Sequence, residues 1–113
     1  MHKSIFPVIE FGEFLKLKLL PKGALPNGVV MISPSATSPG LTTLDDKGYF
    51  FRTAPSDARG GQILADITKD RKVKSVAITY TNNDYGKGLA DVYKAAVEAH
   101  GIKVTTVNAH EDG

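Results

Sequence analysis

The stretch from Lys74 to Val107 constrains the fold most, because it reads as one complete strand–loop–helix–strand unit. Its first part, Ser75 to Tyr80, is rich in β-branched and aromatic residues, as a buried strand is. Lys103 to Val107 alternates polar and apolar residues and predicts a second strand near a sheet edge. Between them, apolar residues recur at the spacing of one helix face: Leu89, Val92, Tyr93, Ala96 and Val97.

The ends of this helix carry recognisable signals. Asn83 or Asp84 is suited to the N-cap, because its side-chain oxygen can accept a bond from a helix N–H. Gly101 stands where a helix needs a left-handed residue at its C-terminus. A strand, a crossover helix and a second strand imply parallel pairing with a right-handed connection. The loop before the helix therefore lies at the C-terminal edge of the sheet, where open α/β folds bind ligands.

Composition narrows the class of protein. The chain has 113 residues, of which 42% are hydrophobic and 23% charged, which is typical of a globular domain. The net charge of +2 is small and the lysines are scattered, so we expect no nucleic-acid partner. Cysteine is absent, which excludes disulfides, thiolate chemistry and cysteine–zinc sites, and we expect no cofactor.

Residues 1–28 form the least readable segment. It is strongly apolar, but Glu10, Glu13, Lys16 and Lys18 interrupt the apolar run, and no small-residue cleavage site follows. We therefore predict that it is not a secretion signal. The stretch from Phe14 to Leu20 fits either a helix face or an alternating strand, and both alternatives stay open.

Val29 to Ile32 is a short apolar run, the mark of a buried parallel strand. It leads into Ser33 to Gly40, where hydroxyl residues are punctuated by prolines. Such a loop either binds a polar ligand or caps a following helical turn, and the residues alone do not choose between these roles. The acidic pair Asp45 and Asp46 beyond it predicts a solvated turn rather than a metal site.

A further strand and helix lie between these two regions. Tyr49 to Arg52 predicts a strand, and Ser56 is a candidate N-cap for a helix from Asp57 to about Lys69. Gly60 and Gly61 each weaken that helix by about 1 kcal/mol relative to alanine. They indicate either close packing against another backbone or simple tolerance. The apolar residues Ile63, Leu64 and Ile67 share one face of this helix.

From Val29 onward the chain resembles the substrate-binding proteins of branched-chain amino acid ABC transporters, which have the type I periplasmic binding fold. Three motifs carry the resemblance, in the order and at about the spacing of that family: Met31-Ile32-Ser33-Pro34-Ser35-Ala36-Thr37-Ser38-Pro39, Phe51-Arg52-Thr53-Ala54-Pro55-Ser56-Asp57, and Asn82-Asn83-Asp84-Tyr85-Gly86-Lys87-Gly88-Leu89-Ala90. The implied fold is α/β, with parallel sheets built from βαβ units as part of a two-lobed clamp.

The resemblance also implies a function and site residues. Members of the family are periplasmic proteins that close on an amino acid and deliver it to a permease in the membrane. Carried over, the ligand's carboxylate and ammonium groups would meet Ser35, Ala36 and Thr37, through backbone groups and the threonine hydroxyl. Tyr85 would line the pocket from the other lobe. Neutral dipoles suit a zwitterion, because they supply donors and acceptors without a buried unpaired charge.

The resemblance divides the chain into three parts. Residues 1–28 do not match the family, residues 29–55 would end the first lobe and cross the hinge at Thr53 to Pro55, and residues 56–113 would begin the second lobe. A complete clamp needs more residues than this, and the acidic residue that neutralises the ligand's ammonium group is missing. We therefore expect a truncated gene, a mis-assigned start or a proteolytic fragment, with weak binding and self-association into a homo-oligomer.

Two other classes of function compete with transport. A flavodoxin-like enzyme would use the loop from Asn83 to Gly88 as a nucleotide or anion site at a helix N-terminus. No phosphate-loop signature is present, and His2, His100 and His110 are scattered without a nucleophile pattern, so we expect no enzyme and no catalytic residues. A ligand-sensing module of a regulator or receptor is the second alternative, since it uses the same clamp fold.

Overall fold

The computed structural model describes residues 8–9, 23 and 25–111, which belong to two compact units separated between Pro55 and Ser56. The open question of helix or strand for Phe14 to Leu20 falls outside the described residues. The described part of the first unit contains a parallel sheet, and the second unit combines two helices with a parallel pair of strands.

The described residues of the first unit form three short strands: β1 is Val8–Ile9, β2 is Met31–Ser33 and β3 is Phe50–Arg52. They make a parallel sheet in the order β1-β2-β3. The predicted apolar run therefore does form a parallel strand, shifted toward its C-terminal end. Strand β3 ends at Arg52 and a bend follows at Thr53, so the chain has no regular strand at the place where it was predicted to cross the hinge, and that crossing stays a prediction. One bond does continue past the strand, from the Thr53 N–H to the Ser33 carbonyl at 3.0 Å.

The core of the first unit forms around β2, because alternate residues of a strand point to opposite faces. Met31 and Ser33 are buried while Ile32 between them is 36% exposed. The buried cluster consists of Met31, Ala36, Leu41 and Phe50. The acidic pair predicted to form a solvated turn does so, with the Gly48 N–H donating to Asp46 Oδ1 at 2.9 Å.

The second unit has the predicted strand–helix–strand architecture. Helix α1 spans Asp57–Asp70, β4 spans Ser75–Thr81, α2 spans Asp84–Ala99 and β5 spans Lys103–His110. Strands β4 and β5 pair in parallel, as a crossover helix requires, with an irregular register between Val76 and Ala77.

The caps of both helices follow the predictions. Ser56 Oγ accepts from the Ala58 N–H at 3.2 Å, and Asn83 Oδ1 accepts from the Gly86 N–H at 2.7 Å, so Asn83 rather than Asp84 is the N-cap of α2. At the other end of α2, Gly101 has a φ of +76°, the left-handed conformation expected there.

Helices α1 and α2 pack closely, and the two adjacent glycines of α1 take different roles. A Cβ on Gly61 would lie 2.5 Å from Val92 Cγ1 and 3.2 Å from the Tyr93 backbone nitrogen, so Gly61 permits close packing. A Cβ on Gly60 would meet nothing within 4 Å, so Gly60 is merely tolerated. The buried cluster of this unit consists of Ala65, Val97 and Ile102.

The apolar face of α1 is largely uncovered in the described residues. Ile63, Leu64 and Ile67 are 44%, 48% and 46% exposed. Strand β4 belongs to a two-stranded sheet, so within the described part of the chain it pairs on one edge only. None of the helices described has the length and apolar character needed to cross a membrane.

Candidate functional site

The loop that follows β2 begins with a turn shaped by Ser33. Ser33 is fully buried, and its Oγ accepts hydrogen bonds from the Ala36 N–H at 3.0 Å and from the Ser35 N–H at 3.3 Å. A serine hydroxyl that accepts backbone donors two and three residues ahead stabilises a turn where the strand ladder has ended. The turn fixes the direction of the chain as it leaves the carboxyl end of the central strand.

The three predicted ligand-binding residues of this loop differ in exposure. Ser35 is exposed, Thr37 is half-buried and Ala36 is fully buried beside Met31 and Phe50. The Ala36 N–H is bonded to Ser33 Oγ. Any contact of Ala36 with a ligand would therefore come through its carbonyl oxygen rather than through its side chain.

Arg52, the last residue of β3, contacts the far end of the same loop. Its Nη1 donates to the Ser38 carbonyl at 2.9 Å and its Nη2 donates to Thr42 Oγ1 at 2.6 Å. Arg52 is also the register partner of Ser33. Arg52 was predicted only as the end of a strand, and its contacts with the loop were not predicted. The available signal was a basic residue at the carboxyl end of the predicted strand Tyr49 to Arg52.

Tyr85 stands in the first turn of α2 and is 46% exposed. The turn before it is tight: the Asn83 N–H donates to the Thr81 carbonyl at 2.7 Å, and Asn83 Oδ1 caps the helix. Gly86 lies directly on this turn, since a Cβ there would collide with the Thr81 carbonyl oxygen and lie 3.0 Å from the Thr81 nitrogen. The absence of a side chain at Gly86 therefore allows the first turn of α2, which includes Tyr85, to pack directly against Thr81.

A cleft of about 450 Å³ opens beside Tyr85 within the second unit. Its wall is mostly apolar and aromatic, with contributions from α1, β4, α2 and β5: Leu64, Tyr80, Tyr85, Leu89, Tyr93 and His110. This volume is within the range of small-molecule sites. The lining favours an apolar or aromatic group over a charged one.

Several polar side chains around this cleft are hydrogen-bonded to one another. Thr68 Oγ1 donates to the Leu64 carbonyl at 2.7 Å, so the Tyr93 hydroxyl, 2.8 Å away, is the donor in its bond with Thr68. The His110 ring contacts Thr79 Oγ1 through Nδ1 at 2.9 Å and Thr81 Oγ1 through Nε2 at 3.5 Å. These bonds connect α1 to α2 and β4 to β5, which makes them structural.

The charged groups near the site provide no metal centre. In residues 25–111, no three His, Asp or Glu side chains lie close enough together to hold a metal ion.

On the exposed face of α2, the hydrogen bond and negative charge of Asp91 raise the pKa of Lys87, with the two side chains 2.8 Å apart. An exposed pair at this spacing on a helix contributes little to stability.

The predicted site residues thus belong to different units. Ser35, Ala36 and Thr37 lie together on the loop after β2 in the first unit, and Tyr85 lies at the start of α2 in the second. Both positions follow a strand of a parallel sheet at its carboxyl end, as the sequence predicted.

Comparison with known proteins gives a consistent set of matches. The family model described as "Receptor family ligand binding region" matches residues 25–112. The Leu/Ile/Val-binding protein homolog 3 of Brucella melitensis is 43% identical over 77 residues, which are 67% of this chain and 21% of that protein. The leucine-, isoleucine-, valine-, threonine- and alanine-binding protein of Pseudomonas aeruginosa is 40% identical over 80 residues, 68% of this chain and 21% of that protein.

The fold has a solved counterpart that carries a ligand. An ABC transporter substrate-binding protein from Desulfitobacterium hafniense, in complex with Leu, matches with a TM-score of 0.73 and 30% sequence identity. The match covers 99% of this chain and 33% of that one. The chain thus spans about a fifth of the length of the curated relatives described here and a third of the solved protein.

Proposed function

Because this chain belongs to the family of receptor ligand-binding regions, we propose that it is part of an amino-acid-binding component of an ABC transporter. The relatives described above are named as binding proteins, and the resemblance inferred from the three sequence motifs is confirmed. The observation that carries the proposal is the loop after β2. It leaves the carboxyl end of the central strand of a parallel sheet, in a chain that matches a leucine-bound protein over nearly its whole length.

The proposed role of the loop is to bind the charged ends of an amino acid. Ser35 and Thr37 bring hydroxyl groups that both donate and accept, and the Ala36 carbonyl accepts. A carboxylate prefers backbone N–H and hydroxyl donors, whereas an ammonium group prefers carbonyl and hydroxyl oxygens. The turn at Ser33 holds these groups in place before a ligand arrives, which lowers the entropy lost on binding.

The proposed role of Tyr85 is to contact the ligand's side chain or its ammonium group. Its ring is 46% exposed beside a cleft with apolar walls. A tyrosine face covers apolar groups and also attracts cations. Its backbone belongs to the first turn of α2, which the bond from the Gly86 N–H to Asn83 Oδ1 caps, so Tyr85 is carried by a helix rather than by a loop.

The length of the chain limits the affinity that we expect. The chain spans about a fifth of the curated relatives, so most of a complete binding protein's contacts lie outside it. We therefore expect leucine to bind this chain weakly, with a dissociation constant on the order of 1 mM. In a complete protein of this kind, the partner would be an ABC permease and the compartment the periplasm.

The test is an NMR titration of the isotopically labelled chain with L-leucine. We expect shifts in the amides of Ser35 to Ser38 and of Tyr85, and no response to leucinamide, which lacks the carboxylate. Thr37→Val removes the hydroxyl and should weaken binding about tenfold, since hydrogen bonds to charged groups contribute about 1.5–3 kcal/mol. Thr106→Val, at an exposed threonine of β5 in the second unit, is the matched control and should bind as the unchanged chain does. Equal responses to leucine and leucinamide, or no shift in these amides at any soluble concentration, would contradict the proposal.

A ligand-sensing module is the second candidate function. The description of the matching family, a receptor ligand-binding region, favours it. The two functions share the same binding chemistry and differ in what the domain is joined to. A DNA-binding or signalling domain in the same reading frame would indicate a sensor, and neighbouring permease and ATPase genes would indicate a transporter.

We also propose that the chain forms a homo-oligomer. The apolar face of α1 is nearly half exposed, and the outer edge of β4 carries no charged side chain to repel a second copy. Light scattering should give a mass above 12.1 kDa that rises with concentration. Leu64→Lys on this face should lower the mass, while Val107→Lys on β5 should not. A monomer of the unchanged chain at all concentrations would overturn this proposal.

A further inference from the structure

We propose that Arg52 is a positioning residue for the amino-acid-binding loop, an inference that rests on the proposed function of that loop. No motif assigned Arg52 a part in binding. Its guanidinium group contacts the loop at two points beyond the predicted ligand residues, and so controls their position without touching the ligand.

The loop is held from both ends by a pair of residues that face each other in the sheet. Ser33 and Arg52 are register partners at the carboxyl ends of β2 and β3. Ser33 holds the first part of the loop through its bonds to the N–H groups of Ser35 and Ala36. Arg52 holds the second part through Ser38 and Thr42. Of the predicted ligand residues, Ser35 and Ala36 are therefore held directly by Ser33, and Thr37 lies between them and the attachment at Ser38.

The chemistry of arginine suits the second attachment. Its planar guanidinium presents several N–H donors in a fixed fork, so one side chain can hold a carbonyl and a hydroxyl at the same time. The Ser38 carbonyl also accepts from the Leu41 N–H at 3.2 Å, which closes the turn of 3₁₀-helix at Pro39–Leu41. Arg52 thereby stabilises both the end of the loop and the short helix that anchors it in the core through the buried Leu41.

Losing this support would free the loop to leave its binding geometry. The amide groups and hydroxyls of Ser35 to Ser38 would then have to be ordered when a ligand binds, which lowers affinity. Lysine cannot replace the arginine fully, because a single ammonium group does not reproduce the two-point fork. Thr42→Val removes one of the two acceptors and keeps the other.

Two measurements on the same variants test the proposal. In Arg52→Gln, we expect amide hydrogen exchange at Leu41 and Thr42 to accelerate about tenfold and leucine affinity to fall about fivefold to tenfold, the order expected for the loss of a charged hydrogen bond. The Met31 amide, bonded to the Tyr49 carbonyl at 2.8 Å, should keep its exchange rate and report that the sheet is intact. Arg52→Lys and Thr42→Val should fall between Arg52→Gln and the unchanged chain.

The matched control is Arg59→Gln, which removes the same charge from an exposed position on α1. It should leave both loop exchange and leucine affinity unchanged. If exchange in the loop of Arg52→Gln matches that of the unchanged chain, the positioning role is wrong, even where affinity falls. If exchange accelerates while leucine affinity stays constant, Arg52 holds the loop but does not position it for binding, and the inference is also wrong.

A failure of the proposed function would give a different result from a failure of the positioning role of Arg52. If the unchanged chain shows no leucine shifts at Ser35 to Ser38, the proposed function fails first. The exchange measurement then still decides whether Arg52 holds the loop, because it needs no ligand.

Discussion

Replacing Gly86 with alanine will lower the free energy of unfolding of the second unit by about 3 kcal/mol, the upper part of the usual range for overpacking a core. The added Cβ would collide with the carbonyl oxygen of Thr81, a backbone atom that cannot rotate aside as a side chain can. To relieve the collision, the first turn of α2 must move away from β4, which also breaks the bond between Asn83 Oδ1 and the Gly86 N–H. The steric cost outweighs the gain of about 1 kcal/mol that alanine normally brings to a helix.

Gly60→Ala is the matched control for this substitution. It makes the same chemical change in a helix, at a position where a Cβ would meet nothing within 4 Å. It should stabilise the unit by about 0.5–1 kcal/mol, because alanine loses less conformational entropy on folding. Urea unfolding followed by circular dichroism measures both variants. Opposite signs are expected, and a Gly86→Ala protein as stable as the unchanged chain would mean that the β4–α2 turn is not packed as described.

Replacing Met31 with alanine will destabilise the first unit by about 2–5 kcal/mol, the range for truncating a large buried side chain. Met31 is the first residue of the central strand β2, and it is fully buried against Ala36, Leu41 and Phe50. The cavity would form directly beside the proposed binding loop, because Ala36 is part of that loop and also packs against Met31 in the buried cluster. We therefore expect the amide signals of the loop to shift along with the loss of stability.

Ile32→Ala is the control for Met31→Ala. It removes a side chain of similar size from the neighbouring residue of the same strand, which points to the opposite face and is 36% exposed. It should cost less than about 1 kcal/mol, since the site is already in contact with water. Unfolding monitored by NMR signals of the first unit separates the two variants, and equal losses would contradict the assignment of the core to the face of Met31.

The β4–α2–β5 unit could be predicted almost completely because its determinants are local. The strand composition, the Asn83 cap, the helical stripe and Gly101 all lie within one continuous stretch, and each specifies a feature that the structure contains. The register irregularity between Val76 and Ala77 could not be predicted. The irregularity depends on how two strands that are far apart in the sequence fit together. Neither Val76 nor Ala77 is a glycine, the residue that often marks a bulge.

The features that the sequence did not reveal depend on which residues become neighbours. Gly60 and Gly61 are adjacent and identical, and only the packing of α1 on α2 distinguishes the close contact of one from the open surroundings of the other. Arg52 likewise gains its role from the pairing of β3 with β2, which places it beside a loop that lies ten and more residues earlier in the chain. Ser33 was recognised as part of a hydroxyl-rich loop, but its burial and its two accepted bonds follow from its place at the end of a central strand.

The composition of β4 also matters when the chain is not fully folded. Ser75–Thr81 is a seven-residue segment without proline, glycine or charge, and it is rich in β-branched and aromatic residues. These are the properties of segments that stack into cross-β fibrils with interlocked side chains. Lys72 and Lys74 precede the segment and Asp84 follows it, in the flanking positions where charged residues act as gatekeepers against fibril growth. Conditions that neutralise or screen these charges while loosening the second unit would favour fibrils over refolding.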